Sequence, residues 1–568
     1  MTKRLISLIL LFALTTVSLA AFPTSYQPQR ERKVNSAPIA QATPPPAASP
    51  TPAASPAPVS ESTPTASRTA STTRTLADLQ TRIAEILRKP ELAPAMVAVK
   101  IVSLDTGRVL FEENAHKLMR PASNMKLYTV ATALDRLSPD FRFNTSVYAF
   151  AKPDAAGVVR GGLTIYGRGD PSIAARFNNG DYLKGIDDLA ARIAAAGVKR
   201  VEGDLVGDES YFTGPQYGSG WEWEDLTWYY GAEVSALTVN DNALDLFVKP
   251  GARIGAAASV TTGPADPLLT IINRVTTGAR AVKREISVYR GLGQNTIEVS
   301  GVIPVDDRGY TGGVAITDPA LLFVHLLRAS LAKQGIMVTG RLRTERVHSP
   351  RWVSANSEGQ HVRQSTIVPL RPNVEIASMQ SPPLSVIAAQ TLKPSQNLYT
   401  ELILRTLGKT PENSPVLSNA RTSEDQGLEV VKGFLKEAGL TPESLNLSDG
   451  SGLSRNDMVS ADATVQLLTF MSKHKYAAIW REALPIAGVD GTLRNRMKGT
   501  TAENNVRAKT GSLSSASSLS GYVTSAASEN LVFSIMVNNY QRDAEPRSDC
   551  IDPIAVLLAS FAGRSADK

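Results

Sequence analysis

Residues from about Phe22 to Thr75 are dominated by Pro, Ala, Ser and Thr and carry almost nothing that could be buried. Whatever folds in this 568-residue chain must therefore begin near Leu76. Residues 21–75 are expected to be a disordered linker, semi-extended where proline is dense. Ahead of it, Lys3 and Arg4 precede an apolar run from Leu5 to about Leu19 that closes on Ser18-Leu-Ala20, the form of a secretory signal peptide cut after Ala20. A run of about 15 apolar residues is short of the ~20 a membrane span needs, and no later segment reaches that length.

Folding sequence starts with helical spacing of apolar residues over Leu76 to Leu87, followed by two strand-like runs, Ala95–Val102 and Val109–Phe111, around a turn at Asp105-Thr-Gly107. The C-terminal end mirrors this: strands around Leu519 and Leu531–Val537, then a last apolar helix from Pro553 to Phe561. Elements from both ends can thus share one sheet. Between about Phe141 and Arg346 the texture changes to short alternating strands rich in Gly and Asp, interrupted by one clear helix from Gly185 to Ala196 that stops at Gly197. The expected division is 1–20 signal peptide, 21–75 linker, 76–145 and 347–568 core, and 146–346 an inserted region of two small domains.

Composition excludes several functions. Cys550 is the only cysteine, so no intramolecular disulfide and no cysteine metal site can form, and five scattered histidines lack metal-ligand spacing. The net charge of +7 is spread along the chain without a basic run or aromatic-basic motif, giving no support for nucleic-acid binding. No Gly-x-Ser-x-Gly elbow occurs, Gly408-Lys-Thr410 lacks the earlier glycine of a phosphate loop, and Gly291-Leu-Gly293 is only part of a dinucleotide motif.

One grammar remains. Ser123-Asn-Met-Lys126 opens the helical run from Pro121 to Leu137, which places a lysine amine one turn after a serine hydroxyl, as a base must lie to take its proton. Ser330/Lys333, Ser472/Lys475 and Ser565/Lys568 repeat the string, but toward helix ends or in the tail. Lys509-Thr-Gly511, with Ser512 after it, enters a strand near the C-terminus. A lysine and a hydroxyl there can hold a carboxylate, and a glycine permits close approach. Ser-x-Asn occurs at Ser354, Ser395, Ser444, Ser454 and Ser528. Ser395-Gln-Asn397 is preferred because it sits between two helical runs, Leu384–Leu392 and Leu398–Leu404, with Ser454-Arg-Asn456 in a Gly-rich turn as the runner-up.

The three elements in this order resemble the penicillin-recognising serine enzymes, and the roughly 270 residues between Ser123 and Ser395 resemble the added domains of class C penicillin-binding proteins, the D-alanyl-D-alanine carboxypeptidase/endopeptidase family. Tyr166–Ser172, Val234–Asn242, Asp449–Arg455 and Leu484–Leu493 resemble further stretches of that family. Where related proteins often show Ser-Asp-Asn, this chain has Ser395-Gln396-Asn397, and Gln396 is assigned no chemistry. The resemblance implies an α/β fold with a β-lactamase/penicillin-binding-protein-like transpeptidase core, an antiparallel sheet flanked by helices, with two smaller inserted domains. It implies Ser123 as nucleophile, Lys126 as its base and Ser395 as proton relay, all catalytic. Asn397, Lys509, Thr510, Gly511 and Ser512 would bind substrate, Lys509 and Thr510 gripping its carboxylate and Ser512 helping to hold the oxyanion. Peptidoglycan stem peptides would be substrates and β-lactams covalent inhibitors, in the periplasm or cell envelope, with no cofactor and no metal. A β-lactamase or a non-catalytic wall-binding scaffold are the alternatives; no Glu motif for fast deacylation is evident near these elements.

Overall fold

The computed structural model describes residues 73–265, 268–346, 372–409, 422–541 and 543–566. The signal-peptide reading and all but the end of the linker lie outside these residues, as do Ser354 and Lys568. The linker was placed through residue 75, but the folded body starts earlier. Thr73 is buried and its carbonyl accepts from Ala562 N–H, and the Thr75 hydroxyl caps helix Leu76–Leu87 by accepting from Asp78 N–H. Threonine in the linker and threonine at an N-cap look alike in composition; only the helix that follows tells them apart.

The two chain ends do meet in one sheet. Its order is Arg507–Leu513, Ala516–Thr524, Asn530–Asn538, Met96–Ser103, Val109–Glu113, all antiparallel. Both faces are covered. Along Asn530–Asn538 the side chains alternate, Val532 and Met536 facing a cluster with Tyr128, Leu134, Leu468 and Trp480, while Phe533, Ile535 and Val537 face Leu79, Ile83, Ile554 and Leu558. Each such side chain contributes roughly 1.5–3 kcal/mol on burial. The first and last described helices therefore lie on one face and the helix Met125–Leu137 on the other, which carries the start of that helix toward the edge strand Arg507–Leu513.

A second five-stranded sheet runs Leu342–Glu345, Leu205–Asp208, Leu163–Tyr166, Asn144–Ala149, Val374–Gln380. Its members come from both sides of the sequence boundaries at 146 and 346: Val374–Gln380, from the stretch assigned to the core, pairs antiparallel with Asn144–Ala149. An alternating strand pattern says that one face is buried but not in which sheet. Two three-stranded sheets, centred on Ala243–Lys249 and Thr296–Pro304, make up much of the rest of the inserted stretch. The single cysteine is buried, its thiol pushed up to about 12 by burial. Among the described residues no helix is long and apolar enough to cross a membrane.

Candidate active site

Ser123 lies in a 3-10 turn, Ala122–Asn124, that leads into helix Met125–Leu137, so the expected helix opens one turn tighter than an α-helix. Ala122 takes φ of +49°, a left-handed conformation that residues with a Cβ avoid and that persists only when packing enforces it. Two glycines do so. A Cβ on Gly452 would stand 1.9 Å from the Ala122 carbonyl oxygen, and one on Gly511 would stand 2.5 Å from that of Pro121 and 2.1 Å from Ser518 Oγ. The missing Cβ at Gly511 lets the edge strand lie against the turn that carries Ser123.

Lys126 is fully buried, and its Nζ reaches three acceptors: Ser123 Oγ at 3.0 Å, Asn397 Oδ1 at 2.6 Å and the Ser451 carbonyl at 2.7 Å. Burial lowers its pKa to about 7, against the opposing pull of Asp449, Glu401 and Asp457. That pull is itself blunted, because burial raises Glu401 and Asp457 well above the usual carboxylate range. In a neutral amine two N–H groups go to Asn397 and Ser451, the acceptors that carry no proton to give. The lone pair then faces Ser123, whose hydroxyl donates to it.

The second element forms a matching pair. Ser395 sits between helices Leu384–Leu392 and Asn397–Leu407, as its sequence setting suggested, with φ of +66°. Lys509 Nζ donates to Ser395 Oγ at 2.8 Å and to its neighbour Thr510's carbonyl at 2.8 Å. Burial first, and then the charge of Lys126, push Lys509 well below its ordinary value. The site therefore holds two serine–lysine pairs, and a charge on Lys126 disfavours one on Lys509. Thr510 Oγ1 donates to Thr492 Oγ1 at 2.8 Å, and Ser512 lies on the exposed rim, its hydroxyl accepting from Arg547 at 2.8 Å.

The family resemblance implies a substrate-binding role for Asn397. In the structure its oxygen accepts from Lys126 and its Nδ2 donates to the Tyr230 carbonyl at 2.8 Å, which leaves one N–H for a ligand. It also gave no part to Asp449. That carboxylate is buried and accepts from the backbone N–H groups of Ser451, Gly452, Leu453 and Ser454 and from Trp221, closing the loop whose Ser451 carbonyl holds Lys126. An Asp followed by Gly-Ser-Gly signals such a turn, but not which lysine it serves. Ser454 Oγ accepts from Asn456 N–H at 3.3 Å, so the runner-up motif is part of this turn. The decoy serines are structural too: Ser330 donates to Asp187, and Ser472 to the Thr469 carbonyl. Among the described residues no group of His, Cys, Asp or Glu could hold a metal ion.

Against known proteins, the model of the D-Ala-D-Ala carboxypeptidase 3 (S13) family matches residues 79–360 and 353–561. The chain is 35% identical over 502 residues to a D-alanyl-D-alanine carboxypeptidase of Actinomadura sp., covering 86% of each. It is 24% identical over 447 residues to the carboxypeptidase DacB of Haemophilus influenzae, covering 77% of this chain and 84% of that one. The crystal structure of penicillin binding protein 4 from the same organism superposes with a TM-score of 0.69 at 22% identity, covering 85% of this chain and 99% of that one, a likeness of fold.

Proposed function

The chain belongs to the D-Ala-D-Ala carboxypeptidase 3 (S13) family and is a serine-type D-alanyl-D-alanine carboxypeptidase, and from that premise we propose that it works through an acyl-enzyme on Ser123. The three-acceptor environment of Lys126 carries this reading: two fixed acceptors orient a neutral amine so that its free lone pair meets one hydroxyl, that of Ser123. As Ser123 Oγ attacks the penultimate D-Ala carbonyl, its proton passes to Lys126. The oxyanion forms between the backbone N–H groups of Ser123 and Ser512. Ser395 relays to the nitrogen of the departing D-Ala the proton that Lys126 took from Ser123, with Lys509 behind it, so the C–N bond breaks and Lys126 is neutral again. Water then attacks the ester, giving a proton to Lys126, and Ser123 leaves with its proton restored.

The terminal carboxylate of the substrate would lie against Lys509, Thr510 and Gly511. A bound anion restores the charged form of Lys509 that burial disfavours in the free enzyme, so carboxylate binding and lysine protonation reinforce one another. Asn397 would keep Lys126 in place and offer its remaining N–H to the substrate amide. β-Lactams would acylate Ser123 and stay. The apolar N-terminal run and the linker fit an exported enzyme that meets peptidoglycan stem peptides in the periplasm or cell envelope. Residues 146–346 would form the bulk of the inserted part and 76–145 with 347–568 the catalytic part, with Val374–Gln380 reaching across.

Purified muropeptides digested with the enzyme and resolved by mass should lose terminal D-Ala from pentapeptides. Loss of cross-linked dimers as well would add D,D-endopeptidase activity, and unchanged pentapeptides with a folded enzyme would contradict the proposal.

The lowered pKa of Lys126 sets a pH dependence. The base must be neutral, so the second-order acylation rate should climb about tenfold per pH unit below its pKa of about 7 and level off above it. Stopped-flow acylation by a fluorescent penicillin between about pH 5 and 9 measures this; a flat profile down to about pH 5 would mean that Lys126 is not the base.

A further inference from the structure

Three consecutive residues, Asn240, Asp241 and Asn242, have φ of +46°, +59° and +51°. Asn and Asp reach left-handed backbone more readily than other residues with a side chain, yet a run of three persists only where its surroundings hold it. Here both asparagines are committed to that task. Asn240 accepts from Ala175 N–H and donates to the Tyr182 carbonyl, and Asn242 accepts from Val239 N–H and donates to the Glu233 carbonyl. The middle side chain, Asp241, is presented outward from the turn.

It meets the second catalytic element. Asp241 Oδ2 accepts from Gln396 Nε2 at 2.9 Å and from Arg176 at 3.3 Å, and its Oδ1 accepts from the Tyr399 hydroxyl. Gln396, the residue between Ser395 and Asn397, is buried, and its oxygen accepts from Leu398 N–H at the start of helix Asn397–Leu407. On the other side the same loop is tied by Lys393, whose carbonyl accepts from Thr492 N–H and whose amine pairs with Asp490 at 2.6 Å. Ser395 itself has left-handed backbone, so the aim of its hydroxyl depends on both flanks being held.

We propose that Asp241, through Gln396, is a positioning residue for the Ser395 loop, holding Ser395 on Lys509 and Asn397 on Lys126. The contact has a polarity: a carboxylate on the inserted stretch requires an amide donor at 396, and an acidic side chain reaching Asp241 from that position would face like charge. Gln396 is the matching donor. The inserted stretch thereby takes part in assembling the active site.

The inference rests on Ser123 and Ser395 acting as proposed above. Its test uses the full chain, a fluorescent penicillin, and the acylation rate per labelled molecule beside the melting temperature. Gln396→Glu should slow acylation about 10- to 100-fold, the range of coupling between directly bonded residues, with labelling still reaching completion. Combining it with Asp241→Asn exchanges donor and acceptor across the contact, and the double variant should acylate about tenfold faster than Gln396→Glu alone. A wild-type rate in Gln396→Glu, or no recovery in the double variant, would overturn the proposal. General destabilisation lowers the melting temperature and gives no such recovery. Should Gln396→Glu not fold, Gln396→Ala removes the donor without adding charge: a slowed rate supports the proposal and an unchanged one overturns it. Failure of the underlying reading is separate, since it would appear as Ser123→Ala still labelling.

Discussion

Ser123→Ala is expected to abolish covalent labelling by a fluorescent penicillin and to leave release of D-Ala at background, a loss on the order of 10⁶-fold, the scale seen when an acyl-transfer nucleophile is removed. The loss should be complete because no other hydroxyl stands where Ser123 does. The Ser123 hydroxyl lies 3.0 Å from Lys126, whose remaining acceptors are an amide oxygen and a backbone carbonyl. The fold should survive, since the change removes one hydroxyl with a net worth of about 1 kcal/mol, while Asn397 and Ser451 continue to satisfy the amine. Ser330→Ala and Ser472→Ala should label as the unaltered protein does, their hydroxyls being bonded to Asp187 and to a helix carbonyl. Gel fluorescence beside circular dichroism separates these outcomes.

Ser395→Ala should cut the acylation rate by about 10²- to 10⁴-fold with the protein folded, the usual consequence of losing a group that moves a proton in the transition state. Among the described residues that hydroxyl is the one side-chain partner of the buried Lys509 amine, so on the proposed mechanism its removal would break the route from that amine to the leaving nitrogen. Ser454→Ala should do something different. Its hydroxyl accepts a long 3.3 Å bond within the turn closed by Asp449, and its loss should lower stability by about 1 kcal/mol while acylation proceeds near the normal rate. Ser454→Ala slow and Ser395→Ala fast would move the second element to the Gly-rich turn and refute its placement here.

Much of this site was legible in the sequence because its chemistry is written in short local strings. Ser123 and Lys126 are one helical turn apart whatever surrounds them, and Ser395 falls between two runs of helical periodicity that the structure reproduces at Leu384–Leu392 and Asn397–Leu407. The pairing of the chain ends followed from strand patterns at both termini. What stayed hidden is what depends on distance in space. Nothing local says that Asn397 holds Lys126, that the Ser451 carbonyl shares it, or that Asp449 shapes the loop that offers that carbonyl. Gln396 was given no chemistry because its partner, Asp241, lies 155 residues away. The pairing of Val374–Gln380 with Asn144–Ala149 stayed hidden for the same reason: register and sheet membership are tertiary choices that an alternating pattern leaves open. The end of the linker was misplaced by a threonine cap, where one residue type serves both a flexible tract and a helix start.

The claim on which everything else depends is that one serine becomes covalently acylated. Incubating the full chain briefly with benzylpenicillin, measuring the intact mass and then mapping the modified peptide tests it directly. A single adduct per molecule is expected, carried by the peptide containing Ser123 and absent from Ser123→Ala. An adduct on Ser395 or any other serine, or none on a correctly folded protein, would contradict it.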